Sequence, residues 1–373
     1  MDTYKKIIEL AEQSKELRKE WQAIVFDAAN PADIEKIHTL IDNHKITNIV
    51  EGTDTQLQEL ATISDPTKIS HTMLTGEQKV QPLAPQESLW VYYPWHFALV
   101  HIVNEADFKK MRLSRNEPLI TKEEQAKVRN LSISFAGLNV GNPCAVCCAL
   151  EGIGEEGTTK LADFDPLSAT NLNRFRAGLI ETETNKAIIT ARQIVEVNPF
   201  AQIDMYEAGL KPDNLEQFLQ GADILVEEID NLKLKIALRD MAKAKKIPVI
   251  MVTGDGENVI LDVERYDLEN PDILNGHLAV ETIQSIQSMV PGQGTFEERV
   301  MLARDFMGPV GELNTRLYDS FSMVGKSLAG IPQLAESSFC RGAVIAHAVR
   351  RIFAESETLK SGRYRLNVRQ ALS

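Results

Sequence analysis

In the segment DFDPLSATNLNRF, residues 163–175, two carboxylates come directly after an apolar run. An amide and a guanidinium follow on the next turn. Asn171 and Arg174 follow Asp163 along this turn. A carboxylate at the end of a strand can hold ribose hydroxyls, and Asn and Arg side chains can bind phosphate oxygens. These residue types predict a site for a sugar and a chain of phosphates.

Two later residues extend this candidate site. Lys186 opens a helical segment as a mobile cation for a phosphate, and Asp230 follows a later apolar strand, where it is available for Mg²⁺. Alone, Lys186 could be a solvated lysine and Asp230 a helix N-cap. The ordered combination with Arg174 favours an ATP site, because a nicotinamide dinucleotide does not need all three residues.

A glycine-containing turn, GLNVGN at 137–142, precedes these residues in the chain. Gly137 and Gly141 allow a tight turn and a close approach to a ligand, and the helix that follows would direct its N-terminus at an anion. Only Gly141 falls in register with the six-residue G-x-G-x-x-G template. Asn139 tolerates a positive φ, so we include Gly137, Asn139 and Gly141 among the predicted nucleotide-binding residues.

The elements that must position these residues alternate between strand and helix. Strands are predicted at 131–136, 158–165, 201–208, 222–230, 247–254 and 258–267, with helices between most of them. This pattern predicts a doubly wound, mostly parallel, Rossmann-like α/β sheet with a helical C-terminal part. The basic tail from 350 is predicted to be a solvated helix with a frayed end. Residues 1–110 predict a separate small α/β domain, and 111–373 the nucleotide-binding domain.

Composition narrows the class of protein. The 373-residue chain has a formal net charge of −13, which argues against nucleic acid and anionic membranes as partners. Three of its four cysteines crowd one segment, 144–148, which is typical of a reduced cytoplasmic protein rather than a disulfide framework. We find no secretion signal and no apolar run long enough to span a membrane, so a cytoplasmic location is expected.

The runs DFDPLSATNLNRF, ETNKA and EEIDN resemble the ThiF/MoeB/HesA family, the bacterial relatives of ubiquitin-activating enzymes. The resemblance covers roughly 110–265. It implies ATP-dependent adenylation, in which a carboxylate of a protein or peptide attacks the α-phosphate and pyrophosphate leaves. It also implies that Asp163 holds ribose, that Asn171, Arg174 and Lys186 hold phosphates, and that Asp230 holds Mg²⁺. Arg174, Lys186 and Asp230 are thereby the predicted catalytic residues.

The resemblance further implies a homodimer in which an N-terminal arginine reaches the ATP of the neighbouring protomer. Arg115 resembles that residue, and Arg112 is the other candidate. Many members of the family bind structural zinc through two C-x-x-C pairs. This chain has only Cys144-x-x-Cys147, inside a predicted helix, so no structural zinc is expected.

The chain departs from the relatives that pass their product to a thiol, since residues 255–330 contain no cysteine. With its added N-terminal domain it resembles the peptide-modifying branch, as in microcin C or pantocin biosynthesis. The domain would hold a leader peptide by adding a strand to a sheet edge, and the aromatic segment 89–97 is the candidate strand. This segment could instead be the core of the small domain or a dimer interface.

Three alternatives stay open at this point. A sulfur-carrier protein adenylyltransferase would act on a small protein ending in Gly-Gly. An NAD(P)-dependent oxidoreductase would need only Gly141 and Asp163, and would be indifferent to loss of Lys186. A catalytically silent nucleotide-binding module would fit the incomplete glycine template.

Overall fold

The computed structural model describes residues 2–68, 87–288 and 300–372, apart from 301, 303, 305 and 310. It divides into two compact units, the first made of Met1–Lys122 with Ala191–Ala201 and the second of Glu123–Thr190 with Gln202–Ser373. The boundary between domains after 110 stays a prediction. None of the helices in the described ranges is long and apolar enough to cross a membrane.

The strands are numbered in chain order: β1 Ile24–Asp27, β2 Asn48–Glu51, β3 Ser88–Tyr93, β4 Ala98–Val103, β5 Ile133–Ala136, β6 Thr158–Ala162, β7 Gln202–Tyr206, β8 Ile224–Glu227, β9 Val249–Asp255, β10 Asn258–Glu264 and β11 Gly362–Leu366. The described helices are α1 Asp2–Gln13, α2 Pro31–Asp42, α3 Thr53–Ser64, α4 Glu105–Leu113, α5 Lys122–Val128, α6 Leu138–Leu150, α7 Lys186–Val197, α8 Leu215–Leu219, α9 Leu232–Lys245, α10 Val280–Ser288, α11 Thr315–Ser320, α12 Ala335–Phe353 and α13 Val368–Ala371.

The first unit is built on a four-stranded sheet with the order β1-β3-β4-β2. Its core packs Phe26, Tyr92 and Leu99 of the sheet against Ile37 of α2. The aromatic strand β3 lies between β1 and β4, so the prediction that segment 89–97 adds a strand at a sheet edge is wrong. None of its residues is exposed, as a strand inside a sheet requires. All four residues of β2 are exposed, and this strand forms an edge of the described sheet.

The second unit is built on a seven-stranded sheet with the order β11-β10-β9-β8-β5-β6-β7. Strands β5 to β9 pair in parallel, and β10 and β11 extend the sheet antiparallel. Strands β5 and β8 are buried along their whole length because helices cover a parallel sheet on both faces. This architecture confirms the predicted mixed α/β fold with a largely parallel sheet.

Two local predictions in this unit are wrong. Helix α6 begins at Leu138, so most of the segment GLNVGN is the first turn of the helix and not a loop. Gly141 therefore lies inside a helix rather than in a turn. The tail from 350 is not only helix and frayed end, because Gly362–Leu366 pairs antiparallel with β10. The segment GRYRL does not show the apolar alternation that predicts a strand, because two of its residues are arginines. In the structure these arginines bind the carboxylates of Asp262 and Glu312.

Candidate functional site

The candidate site lies where the strand order reverses. From β5 the chain builds β6 and β7 on one side, then returns to place β8 on the other side of β5. Ligands of doubly wound sheets bind in the crevice beyond the carboxyl ends of the two strands at such a point. The turn at Gly137 and the segment 228–231 are the two connections that leave β5 and β8 here.

Gly137 makes the turn between β5 and α6, with φ at 86°. A Cβ at this position would lie 2.5 Å from the backbone oxygen of Glu228, so a side chain cannot fit. The buried carboxylate of Asp163 accepts the Leu138 N–H at 2.7 Å and the Asp165 N–H at 2.8 Å. Burial raises the pKa of Asp163, while these hydrogen bonds and the charge of Lys186 oppose the rise. Asp163 thus caps the N-terminus of α6 at the end of β6.

Asp165 is the second carboxylate of the D-x-D segment, and sequence reasoning did not include it in the site. Its side chain is half exposed, and its Oδ2 atom lies 3.2 Å from Lys186 Nζ. The backbone N–H of Lys186 also donates to the Asp165 carbonyl at 3.0 Å. The spacing could have indicated this, because residues i and i+2 of an extended segment share a face, which puts Asp165 on the same side of the chain as Asp163 and Phe164 on the other. The ammonium of Lys186, on an otherwise buried side chain, is therefore held at the crevice.

Asn171 and Arg174 lie on the turn after β6, as the spacing predicted. Asn171 is buried, and its Oδ1 atom accepts the N–H and the hydroxyl of Ser168. Its amide nitrogen is therefore the atom that could donate a hydrogen bond to a ligand. Arg174 donates through Nη1 to the Thr170 carbonyl at 3.0 Å, and its buried Nε atom has no partner within the described chain. Burial and the positive charge of Arg341 lower the pKa of Arg174, whereas Asp230 opposes the shift.

Asp230 is exposed just beyond β8, in front of the N-terminus of α9. It does not cap this helix, because Asn231 does so by accepting the Leu234 N–H at 3.2 Å. Desolvation raises the pKa of Asp230, while the charges of Lys235 and Lys186 oppose the rise. The charge of Asp230 in turn acts on Arg174, so Lys186, Arg174 and Asp230 share one region. An exposed carboxylate beside two cations fits Mg²⁺, which is commonly held by one or two carboxylates and the phosphates of a nucleotide.

A pocket of about 190 Å³ opens next to these residues, beyond the ends of β8 and β9. Three of its charged residues were not predicted from sequence, namely Glu228, Lys235 and Arg341. Glu228 accepts the Val252 N–H at 2.7 Å, and burial raises its pKa to about 8. Arg341 reaches the pocket from α12 and is only 4% exposed. No spacing in the sequence indicates Arg341, since its helix is separated from β8 by about a hundred residues.

Asn139, Arg115 and the cysteines, which the sequence analysis also considered, lie as follows. Asn139 lies in the first turn of α6, and its Oδ1 atom is buried without a hydrogen bond to any described residue. Arg115 is exposed in the first unit, and its predicted role at a neighbouring protomer stays a prediction. The described chain contains no group of three or more His, Cys, Asp or Glu residues arranged to hold a metal. Burial raises the pKa of the Cys144 and Cys148 thiols, which pack within α6.

Residues 113–258 match the ThiF family. The chain is 37% identical over 305 residues to an uncharacterized protein of Mycobacterium tuberculosis, covering 80% of this chain and 41% of that protein. It is 30% identical over 141 residues to the tRNA threonylcarbamoyladenosine dehydratase of Haemophilus influenzae, covering 37% of this chain and 53% of that enzyme. The chain thus spans about half the length, or less, of these two relatives.

The sulfur carrier protein ThiS adenylyltransferase of Escherichia coli is 27% identical over 240 residues, covering 61% of this chain and 93% of that enzyme. Among solved structures, Escherichia coli MccB crystallised with MccA-N7isoASN has a TM-score of 0.44 at 13% identity, covering 71% of each chain. This last likeness is too distant to assign a function. The chain contains a ThiF-family domain, which confirms the family resemblance of its sequence.

Proposed function

We propose that this chain, on the basis of its ThiF-family domain, is an ATP-dependent adenylyltransferase that activates a carboxylate of a peptide or small protein. One observation carries the proposal. Lys186, Arg174 and Asp230 converge at the crevice where the strand order reverses, and Asp165 holds the ammonium of Lys186 there at 3.2 Å. The crevice is where nucleotides bind in this architecture.

The proposed reaction is a substitution at phosphorus. A carboxylate oxygen of the substrate forms a bond to the α-phosphorus of ATP, the bond from that phosphorus to the bridging oxygen breaks, and pyrophosphate leaves with the electron pair. Lys186 and Arg174 would neutralise the phosphate charge that grows in this step, which is the main contribution a protein makes to such chemistry. Asp230 would hold Mg²⁺, which screens the phosphate oxygens when bound.

The test is calorimetric titration with ATP in the presence and absence of Mg²⁺. Lys186→Ala should weaken ATP binding by about tenfold or more, because a charge-assisted hydrogen bond is lost. Asp230→Asn should weaken binding only when Mg²⁺ is present. Lys211→Ala, at an exposed lysine distant in sequence from the site, serves as the control. Binding of NADH without binding of ATP would instead support the oxidoreductase alternative.

The substrate we favour is a peptide, modified in a ribosomal peptide natural-product pathway. The exposed edge strand β2 of the first unit supports this choice, since a peptide can add to such an edge through backbone hydrogen bonds. We further propose that the enzyme is a homodimer in which Arg115 reaches the nucleotide of the partner. Charge reversal by Arg115→Glu should lower ATP affinity, and mixing with Lys186→Ala protein should partly restore it if the site is shared.

A second candidate is the activation of a sulfur-carrier protein, favoured by the similarity to the Escherichia coli ThiS adenylyltransferase over 93% of that enzyme. Pyrophosphate release separates the candidates when peptides, a small protein ending in Gly-Gly and tRNA are each supplied with Mg-ATP. Release with tRNA alone would move the function towards that of the tRNA dehydratase relative. ATP binding without release in any arm would favour a catalytically silent module.

A further inference from the structure

Arg341 is a nearly buried cation whose terminal nitrogens are left for a ligand. The Nε atom donates to the Ser337 carbonyl at 3.3 Å, one turn earlier in α12. No residue of the described chain accepts a hydrogen bond from Nη1 or Nη2, and no described carboxylate forms an ion pair with this guanidinium. Burial lowers the pKa of Arg341, and the charge of Glu228, together with the Cys144 and Cys340 thiols, opposes this shift. A buried charge without a counterion is costly unless an anion binds to it.

The backbone beneath Arg341 leaves room for this guanidinium. A Cβ at Gly254 would lie 3.0 Å from Ser337 Oγ and 3.5 Å from Arg341 Nη1. Gly254 and Arg341 both line the pocket of about 190 Å³ beyond the end of β8. Arg341 thus lines the pocket with its guanidinium next to the backbone of Gly254.

The rest of the pocket decides which anion fits. Besides Glu228 and Arg341, the charged residues Asp230 and Lys235 line it. Its lining also includes apolar residues from the C-terminal part of the chain, which we call the apolar wall, namely Phe306, Met307, Phe321, Ile331 and Leu334. Such a wall desolvates a ligand and does not suit a chain of phosphates. A carboxylate matches the guanidinium in charge and in planar geometry.

We propose that Arg341 binds the carboxylate of the acyl substrate and that the apolar wall receives the hydrocarbon or aromatic group beside it. This inference rests on the proposed function and adds a specificity determinant to it: the substrate carries its carboxylate next to an apolar side chain. Glu228, when protonated, donates a hydrogen bond to the second carboxylate oxygen. Arg341 is a binding residue, whereas Lys186 and Arg174 serve the nucleotide.

The probes are N-acetyl-L-phenylalanine and its amide, N-acetyl-L-phenylalaninamide, titrated into the full chain and followed by saturation-transfer NMR. The acid should bind about tenfold or more tightly than the amide, since only the acid pairs with the guanidinium. N-acetylglycine should bind several-fold more weakly than the phenylalanine acid. Arg341→Met should abolish the preference for the acid, and Arg341→Lys should keep part of it. Arg351→Met is the control on the same helix, because Arg351 pairs with Glu355 away from the pocket.

Several outcomes would overturn this assignment. They are equal binding of acid and amide to the wild-type chain, binding of neither, or an Arg341→Met variant that keeps the preference for the acid. Thermal melting of every variant establishes that it is folded. An ATP titration of the same samples separates this inference from the proposed function. If Arg341→Met weakens ATP as much as Lys186→Ala does, the guanidinium serves a phosphate and the inference is wrong. If ATP never binds but the acid preference is present, the carboxylate site stands and the proposed adenylation fails.

Discussion

Glu227 and Glu228 are neighbours at the end of β8, and their side chains have opposite surroundings. Glu227 accepts hydrogen bonds from Lys235 Nζ at 2.8 and 3.0 Å and from Arg239. Burial raises its pKa, but these two cations outweigh burial and hold the pKa below its usual value. For Glu228, burial outweighs the hydrogen bond from the Val252 N–H and raises the pKa to about 8. Successive residues of an extended chain point in opposite directions, so each carboxylate meets one face of the sheet.

The two faces differ in how completely they satisfy their charges. We call Glu227, Lys235, Arg239 and Glu264 the buried cluster. Arg239 joins its two carboxylates, donating from Nε to Glu264 at 2.7 Å, and Glu264 also accepts the Leu274 N–H. On the other face, Arg341 has no carboxylate partner in the described chain. A cluster that is closed by its own hydrogen bonds stabilises the fold, whereas charges left without partners at a pocket indicate a ligand.

Removing the cation at the centre of the buried cluster tests this contrast most strongly. Arg239→Met leaves Glu227 and Glu264 buried with fewer partners, so the free energy of unfolding should fall by about 3–5 kcal/mol. Urea denaturation monitored by circular dichroism measures the loss. Arg341→Met is the matched variant on the open face, and it should cost less than half as much because it strands no ion pair. Equal losses from the two variants would show that both arginines are structural.

A substitution in the turn at Gly137, where β5 ends beside the end of β8, should have a smaller effect on stability. Gly137→Ala places a Cβ 2.5 Å from the Glu228 backbone oxygen at a φ of 86°, so the turn must shift. We expect a loss of about 1–3 kcal/mol in the free energy of unfolding, together with weaker ATP binding. The control is Gly178→Ala, since a Cβ there meets no atom within 4 Å. If Gly137→Ala matches this control in both measurements, the turn is not restrained by β8.

A pH series tests whether Glu228 is protonated in the folded protein. A carboxyl with a pKa of about 8 when folded and 4.5 when unfolded holds its proton longer in the folded state. Its contribution to stability is therefore fully present below about pH 4.5 and is lost as the pH rises towards 8, at up to about 1.4 kcal/mol per pH unit. Glu228→Gln should flatten the fall in urea midpoint between pH 5 and 8. The exposed Glu216→Gln should not, and identical profiles for Glu228→Gln and the wild type would contradict the shift.

The features of the molecule differ in how well the sequence predicts them. The alternating strands and helices, the parallel sheet and the family domain could be predicted, because each depends on local pattern or on a contiguous motif. The D-x-D segment led to Asp163, but the sequence could not show that its carboxylate caps α6 while Asp165 holds Lys186. Arg341 and the strand β11 escaped prediction, since both depend on contacts with elements about a hundred residues earlier in the chain.

The smallest expected effect concerns the helix that links the buried cluster to the crevice. Asn231 caps α9, which also carries Lys235 and Arg239. Asn231→Ala removes one hydrogen bond to a helix N–H, so the free energy of unfolding should fall by about 1 kcal/mol in urea denaturation. Asn231→Asp can make the same hydrogen bond and should retain the stability. A loss as large as that of Arg239→Met would mean that the cap, rather than the buried cluster, holds α9 against the sheet. A loss near 1 kcal/mol would mean that the cluster fixes the helix, so that Asp230 is presented to the crevice from a rigid support.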